Sequence, residues 1–277
     1  MLDLRSSAIR VVFIGGGNMA QALIRGLVDA GWSASSIAVV EPTAAAREAV
    51  AQRFGVATAA SASGLMATAD VVVLAVKPQV MNAVCASIAP LHAHAIVVSV
   101  AAGIRATDLA RWLGTTRIVR CMPNLAAMQR AGVTGMASLD GVSSGDRDVA
   151  QAMLETVGSV VWVDDEASLD GVTALSGSGP AYVFLFMEAM LEAAADLGFD
   201  DAQARALVCE TFSGAAKVAA ASTDSASRLR EQVTSKGGTT FAALEVMRER
   251  DVSGAIRAAV LAAAARSREL GDDYGRG

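Results

Sequence analysis

The fold is decided by a stretch near the start of the chain, which reads Val11-Val12-Phe13-Ile14-Gly15-Gly16-Gly17-Asn18-Met19-Ala20. Its four apolar residues predict a buried strand, and its glycines predict a tight turn that opens a helix. In that context a G-x-G-x-x-A turn binds a pyrophosphate, because free backbone N–H groups and the dipole at the helix N-terminus meet the negative charge. The stretch therefore predicts a dinucleotide cofactor.

Downstream of this turn, short β-branched runs alternate with helix-period segments as far as about Val163, which is typical of βαβ units around a parallel sheet. The predicted strands are Val11–Ile14, Ile37–Val40, Val71–Val76, Ile96–Val100 and Ile118–Cys121. The predicted helices are Asn18–Ala30, Ala44–Phe54, Gln79–Ile88 and Thr107–Leu113, and 132–163 is typical of strand, helix, strand. We expect an α/β, Rossmann-like, mostly parallel sheet in residues 1–164.

After Asp164 the strand signals disappear, and the sequence is typical of long Ala-rich helices. The predicted breaks are Ser176–Pro180, Gly198–Asp201, Ser222–Ser227 and Thr234–Thr240. These helices are apolar on more than one face, and a domain of about 110 residues has little core in which to bury them. We therefore predict that residues 165–277 form an all-helical dimerisation domain and that the protein is a homodimer or a higher homo-oligomer.

Composition excludes several classes of protein. Of the 277 residues, 53% are apolar and 18% are charged, so the chain can build a large core and is not disordered. The net charge of −5 gives no field that attracts nucleic acid or a membrane surface, which leaves a small molecule as the expected partner.

Three features of the sequence predict a cytoplasmic protein. The cysteines Cys85, Cys121 and Cys209 are odd in number and contain no C-x-x-C pair, which argues against disulfides and zinc. The N-terminal MLDLRSSAIRVVF lacks the pattern of a signal peptide. The charge-free stretch 171–187 is interrupted by Ser176–Pro180, which indicates a buried helix entrance and not a membrane span.

Glu41 follows the second predicted strand, where an acidic side chain accepts hydrogen bonds from the adenosine ribose and repels a 2′-phosphate. A second interpretation makes Glu41 part of a helix start, since Pro42 and Thr43 follow it. Arg47, one turn further along, could reach a 2′-phosphate. The cofactor is therefore NADH or NADPH, with a small preference for NADH.

Two segments lie at carboxyl ends of predicted strands, where open α/β sheets bind ligands. Ala75-Val76-Lys77-Pro78 contains one of the three lysines of the chain, and Met122-Pro123-Asn124 follows the strand that ends at Cys121. We predict cofactor contacts at Lys77, Pro78 and Asn124. The two histidines, His92 and His94, fall instead in a helix-to-strand connection at the opposite edge, so we expect no catalytic histidine.

The helical part contains two glycine clusters, 175–182 and 233–240, and each immediately precedes a helix. Backbone amides and hydroxyl groups that converge at a helix N-terminus can hold a carboxylate. Either cluster could equally be a capping loop or a packing break. The pair together favours a binding site for an acid substrate.

Five motifs together resemble the pyrroline-5-carboxylate reductase family, in the family's order and over nearly the whole chain. They are 13–20, 75–79, 122–124, 173–182 and 232–240. The resemblance implies reduction of 1-pyrroline-5-carboxylate to L-proline, the last step of proline biosynthesis, by hydride from NADPH or NADH. It also implies a helical domain that interlocks with a second subunit.

The same resemblance assigns the site residues, and hydride transfer to a protonated imine requires no metal. It places the cofactor contacts at Gly15, Gly16, Gly17, Asn18, Met19, Val76, Lys77 and Ala102. It places the substrate contacts at Glu166, Gln232, Gly238, Thr239 and Thr240. Thr240 is the expected catalytic residue, with its hydroxyl at the substrate nitrogen and the amides of Gly238 and Thr239 at the substrate carboxylate.

Two departures from the family pattern leave alternatives open. Leu125-Ala126-Ala127 replaces Thr-Pro-Ala, and Lys236 replaces a common proline. The first change is compatible with a non-catalytic nucleotide-binding relative. A second alternative is a 3-hydroxyacid dehydrogenase of similar layout, with Lys217 as the acid–base group.

Overall fold

The computed structural model describes residues 9–275, so the first eight residues, on which part of the signal-peptide prediction rests, lie outside the described chain. An eight-stranded sheet forms its centre, in the order β3-β2-β1-β4-β5-β6-β7-β8. The strands are β1 Val11–Ile14, β2 Ile37–Val40, β3 Ala57–Ala59, β4 Val71–Leu74, β5 Ile96–Ser99, β6 Ile118–Met122, β7 Gly132–Ser138 and β8 Gly158–Trp162. All neighbouring strands pair in parallel except β6 and β7. The predicted mostly parallel sheet is confirmed.

Helices pack on both faces of this sheet. They are α1 Asn18–Asp29, α2 Ala44–Phe54, α3 Met81–Ile88, α4 Ala106–Leu113 and α5 Ser144–Glu155. Alternate residues of β1 enter opposite cores: Val11 and Phe13 contact the α1 side, and Val12 and Ile14 contact the α3 and α4 side. A strand buried on both faces is apolar at every position, which explains the continuous apolar runs in the sequence.

The elements that follow β8 in the chain are all helical. They are α6 Ser168–Val172, a π-helical segment Thr173–Gly177, α7 Gly179–Asp196, α8 Asp201–Ala221, α9 Ala226–Gln232, α10 Thr239–Glu249 and α11 Val252–Gly275. The breaks predicted at 198–201, 222–227 and 234–240 coincide with the ends of these helices. The break predicted at 176–180 is instead largely helical, because the backbone widens into a π-helix there.

The chain divides into two compact units, and each is described by itself below. The sheet unit contains residues up to Ser178 and those from Ala263 onward, and the helical unit is Gly179–Ala262. The end of α11 belongs to the sheet unit through Ser267, whose Oγ donates to Asp170 Oδ1 at 2.5 Å, and through an Arg105–Asp272 ion pair. The partition into 1–164 and 165–277 stays a prediction.

Burial differs from expectation in the segment that was predicted to be a buried helix entrance. The helical run Ser168–Asp196 is long and apolar enough to cross a membrane by length and composition. Of its most apolar stretch of 18 residues, 6% is buried. Ala174 is buried, but Leu175 is 68% exposed. The prediction of burial is therefore wrong for the single chain, because no described residue covers this surface.

The cysteines are all unpaired. Cys85 on α3 and Cys121 on β6 are buried in the sheet unit, and Cys209 on α8 is half-buried in the helical unit. Burial raises the pKa of the Cys85 thiol to about 12, outweighing the hydrogen bonding that lowers it, and burial also raises the pKa of Cys121. The two thiols in the sheet unit are therefore protonated and unreactive at neutral pH.

Candidate active site

The glycine turn lies at the carboxyl end of β1, between β2 and β4, where the order of strands along the chain reverses. Gly15 has a φ of +101°, and a Cβ atom there would lie 2.7 Å from the Ala75 carbonyl oxygen. The Gly15 N–H donates to Val40 O at 2.9 Å. Gly15 is therefore required by both its backbone conformation and its close approach to the next strand end.

The N-terminus of α1 fits a bound pyrophosphate. Gly17 is its N-cap and gives no side-chain cap, and the first turn contains no acidic residue. A Cβ atom at Gly17 would have no heavy atom within 4 Å. The first hydrogen bond of the helix runs from the Gln21 N–H to the Gly17 carbonyl. The amides of Asn18, Met19 and Ala20 therefore have no partner within the helix. These N–H groups and the helix dipole form an anion site with open space beside it.

Glu41 lies beside the turn, and both of its carboxylate oxygens accept hydrogen bonds from backbone amides. Its Oε2 accepts from the Gly16 N–H at 3.1 Å, and its Oε1 accepts from the Thr43 N–H at 2.9 Å, just before α2. Backbone amides thus fix the carboxylate beside the glycine turn, and contact with the adenosine ribose stays a prediction. Arg47 donates to the carbonyls of Glu41 and Pro42 at 2.8 and 3.0 Å, so its guanidinium is engaged with the backbone.

The other predicted cofactor residues line the same carboxyl edge. Val76 and Pro78 are half-buried after β4, Lys77 is exposed between them, and Ala102 is exposed after β5. Asn124, after β6, is half-buried, and its Oδ1 accepts from the Val133 N–H at 3.3 Å. The fold therefore brings the ends of β1, β2, β4, β5 and β6 to one edge of the sheet, as the sequence predicts.

Glu166 is tied into the sheet unit by a buried arginine that sequence reasoning missed. Its Oε1 accepts from Arg120 at 3.0 Å and from the Ala106 N–H, at the start of α4, at 2.5 Å. Arg120 lies on β6 and is 5% exposed. A cavity of about 340 Å³ opens beside this pair and is also lined by Arg105 and Arg268. The sequence feature that could have indicated this pair is Arg120, a charged residue inside an otherwise apolar strand.

The other four predicted substrate residues lie in the helical unit. Gly238 is the N-cap of α10, with no side-chain cap, and Thr239 and Thr240 are in its first turn. Thr240 is half-buried and Thr239 is exposed. The Gly238 N–H donates to Ser235 O at 3.0 Å, so this amide, which was predicted to hold the carboxylate, is already engaged in a turn. Gln232 donates to Asp224 Oδ2 at 2.9 Å.

The side chains of the alternative assignments lie elsewhere. His92 and His94 are exposed between α3 and β5, at the amino edge of the sheet, as predicted. Lys217, the acid–base candidate of a 3-hydroxyacid dehydrogenase, is exposed on α8. Neither histidine lies at the edge that carries the glycine turn.

Comparison with known proteins adds independent support. Residues 166–270 match the family model described as pyrroline-5-carboxylate reductase dimerisation, and residues 10–103 match one described as NADP oxidoreductase coenzyme F420-dependent. A pyrroline-5-carboxylate reductase of Pseudomonas aeruginosa is 43% identical over 98% of this chain and 100% of its own length.

Solved structures agree in sequence and fold. A pyrroline-5-carboxylate reductase from Coxiella burnetii is 37% identical with a TM-score of 0.86, covering 95% of this chain and 98% of its own. The Plasmodium falciparum pyrroline carboxylate reductase, solved with NADP bound, is 26% identical with a TM-score of 0.86, covering 96% and 99%. On the sheet order, the glycine turn and these matches, the chain belongs to the pyrroline-5-carboxylate reductase family.

Proposed function

We propose that this protein reduces 1-pyrroline-5-carboxylate to L-proline with hydride from NADPH or NADH. The observation that carries the proposal is an uncapped glycine turn at the switch point of the sheet, in a chain that belongs to the pyrroline-5-carboxylate reductase family. When it is bound at this turn, the nicotinamide cofactor supplies the hydride. The family matches support this reaction over the 3-hydroxyacid dehydrogenase and the non-catalytic alternatives.

The chemistry suits the side chains that are present. A cyclic imine is basic enough to be protonated near neutral pH, and the resulting cation accepts hydride at carbon without a strong general acid. The protein then has to position the substrate and to hold a hydrogen bond at its nitrogen. This agrees with the placement of both histidines at the opposite edge of the sheet.

We assign the cofactor contacts to Gly15–Met19, Glu41, Val76, Lys77, Pro78, Ala102 and Asn124, and the substrate contacts to Glu166, Gln232 and Gly238–Thr240. The support for the second set is the α10 N-terminus, where the amides of Thr239 and Thr240 precede the first intrahelical donor, Ala242 N–H. These amides suit a carboxylate. The Thr240 hydroxyl is proposed to hydrogen-bond to the substrate nitrogen.

Cofactor choice is proposed to depend on Glu41. Its carboxylate is fixed by two backbone amides, and Arg47 is engaged with carbonyls, so a 2′-phosphate would meet a negative charge first. We expect Glu41→Ser to raise the ratio of kcat/KM for NADPH over NADH roughly tenfold. Glu48→Ser, at an exposed position on α2, should leave the ratio unchanged. An unchanged ratio in Glu41→Ser would make Glu41 a helix-entry residue only.

The reaction itself is tested by the absorbance at 340 nm. NADPH and NADH are supplied with 1-pyrroline-5-carboxylate and their oxidation is followed, and NADP⁺ and NAD⁺ are supplied with 3-hydroxyacids and their reduction is followed. We expect turnover with the cyclic imine alone. Cofactor binding without turnover of any of these substrates would favour the non-catalytic alternative, and turnover of a 3-hydroxyacid would favour the other enzyme.

We further propose that the protein works as a homodimer or a higher homo-oligomer in the cytoplasm. The dimerisation model covers residues 166–270, and the helical unit exposes many large apolar side chains. The three unpaired cysteines suit a reducing compartment. Light scattering on serial dilution, combined with the assay above, measures whether activity depends on assembly.

A further inference from the structure

Two consecutive peptide groups of the glycine turn are each held by a side chain. The Gly16 N–H donates to Glu41 Oε2 at 3.1 Å, and the Gly16 carbonyl accepts from Gln21 Nε2 at 2.9 Å. Gln21 Oε1 accepts from Arg53, on α2, at 3.1 Å. Since its amide nitrogen donates and its amide oxygen accepts, the Gln21 side chain has one defined orientation.

The bond from Gln21 also determines where a neighbouring N–H points. The Gly16 carbonyl and the Gly17 N–H belong to one planar, trans peptide group, so they point in opposite directions. Holding the carbonyl on the Gln21 side therefore directs the Gly17 N–H to the other side. Gly17 is the N-cap of α1 and borders open space. In the chain this N–H immediately precedes the free amides of the first turn.

Three successive glycines make such a restraint necessary. Glycine occupies a wide range of backbone angles, so peptide groups between glycines can rotate at little steric cost. A turn of Gly15, Gly16 and Gly17 would lose the alignment of its N–H groups unless side chains outside the turn held it. Glu41 holds the first peptide group, and Gln21 holds the second.

We infer that Gln21 is a positioning residue for the dinucleotide: it keeps the Gly16–Gly17 peptide group in the orientation that presents its N–H to the pyrophosphate, and Arg53 orients its amide. The inference rests on the proposed function, because it requires that the turn bind NADPH or NADH. Gln21 acts through the backbone and not by contact with the reacting atoms.

The test compares two variants with a matched control. Gln21→Met keeps the length of the side chain and removes both hydrogen bonds, and Gln21→Glu removes the donor toward Gly16 but keeps an acceptor for Arg53. Gln52→Met makes the same exchange at an exposed position on α2. Calorimetry gives Kd for NADPH, NADH and ADP-ribose, and the assay gives kcat at saturating cofactor.

We expect both Gln21 variants to raise Kd roughly tenfold, near the upper end of what one net hydrogen bond contributes, with kcat changed by less than about twofold. ADP-ribose should lose as much affinity as the dinucleotides, because it carries the pyrophosphate without the nicotinamide. Gln52→Met should leave every Kd unchanged.

Three outcomes overturn the inference. An unchanged Kd in both Gln21 variants means that the turn holds itself. A fall in kcat with Kd unchanged places Gln21 in the chemical step. Failure of the wild-type protein to bind any dinucleotide overturns the proposed function as well, whereas a functional wild type with unaffected Gln21 variants overturns this inference alone.

Discussion

The sheet unit and the helical unit bury their apolar side chains to very different extents. In the sheet unit Phe13, Leu23 and Ile24 have no exposed surface, whereas the buried apolar residues of 179–262 are limited to Ala194, Ala204 and Val208 among the described positions. In the helical unit Phe184 is 55% exposed. Burial of large apolar side chains is the main stabilising contribution to folding. The sheet unit can therefore be stable through its own core, and the helical unit needs a surface beyond itself.

The largest expected effect tests whether a second subunit covers the exposed apolar face of the helical unit. Phe184→Asp places a charge where we expect a second subunit, and an unpaired charge buried in an interface is strongly unfavourable. We expect the dissociation constant of the dimer to rise by about 10³-fold or more. Analytical ultracentrifugation on a dilution series measures it.

The control is Val161→Asp, at a 50% exposed apolar residue of β8 in the sheet unit. It should leave the assembly unchanged. A wild-type protein that stays monomeric at all concentrations, or a Phe184→Asp variant that assembles normally, would contradict the prediction.

The second effect concerns the rigid turn of the sheet unit. Gly15→Ala forces a Cβ against the Ala75 carbonyl and keeps a positive φ, so we expect a loss of about 3 kcal/mol in the free energy of unfolding. Gly17 has a φ of −69°, and a methyl group added there would have open space around it. The Gly17→Ala variant should therefore be about as stable as the wild type. Urea unfolding compares them. Weaker cofactor binding by Gly17→Ala, at unchanged stability, would place the pyrophosphate beside that residue.

The third effect tests whether the helical unit contributes a catalytic side chain in addition to its role in assembly. If the Thr240 hydroxyl acts at the substrate nitrogen, Thr240→Ala should lower kcat by roughly 10²-fold and Thr240→Ser should recover most of it. Steady-state kinetics at saturating cofactor measure both. Equal losses would assign the role to the threonine methyl group, and a nearly normal Ala variant would place the chemistry on another residue.

The smallest effect is a pH dependence confined to the sheet unit. Burial raises the pKa of Asp146, but hydrogen bonds from Arg117 and Ser143 outweigh it, so the pKa lies below its usual 3.8. A carboxyl group with a lowered pKa stabilises the fold above its unfolded pKa and loses this contribution as the pH falls through the folded value.

Asp146→Asn, which also weakens the cap of α5, should therefore reduce the free energy of unfolding by about 1 kcal/mol at pH 7. The difference from the wild type should shrink below about pH 4. Asp148→Asn, exposed on the same helix, is the control and should show no such trend in urea unfolding between pH 2.5 and 7. A difference that is constant over that range would contradict the assignment.

The sequence predicts elements best where one local pattern determines them. Strands such as β1 and β4 are continuous apolar runs, so their positions follow from the sequence. The strand β3, Ala57–Ala59, was missed because it is three residues long and contains no large apolar side chain; it forms through backbone pairing with β2. The site follows the same rule. The glycine turn is a local pattern, but Arg120 and Glu166 are 46 residues apart, and only the fold brings them together.

The distribution of cysteines has a practical consequence for measuring the two units separately. Cys85 and Cys121 can react with a thiol reagent only when the sheet unit opens, whereas Cys209 on α8 reports on the helical unit. Labelling rates of Cys85 and Cys121 under native conditions therefore give a free energy of opening for the sheet unit, and the labelling rate of the half-buried Cys209 reports how accessible α8 is in the same molecule. The natural chain already contains a reporter on each side of the comparison, and no label has to be engineered into it.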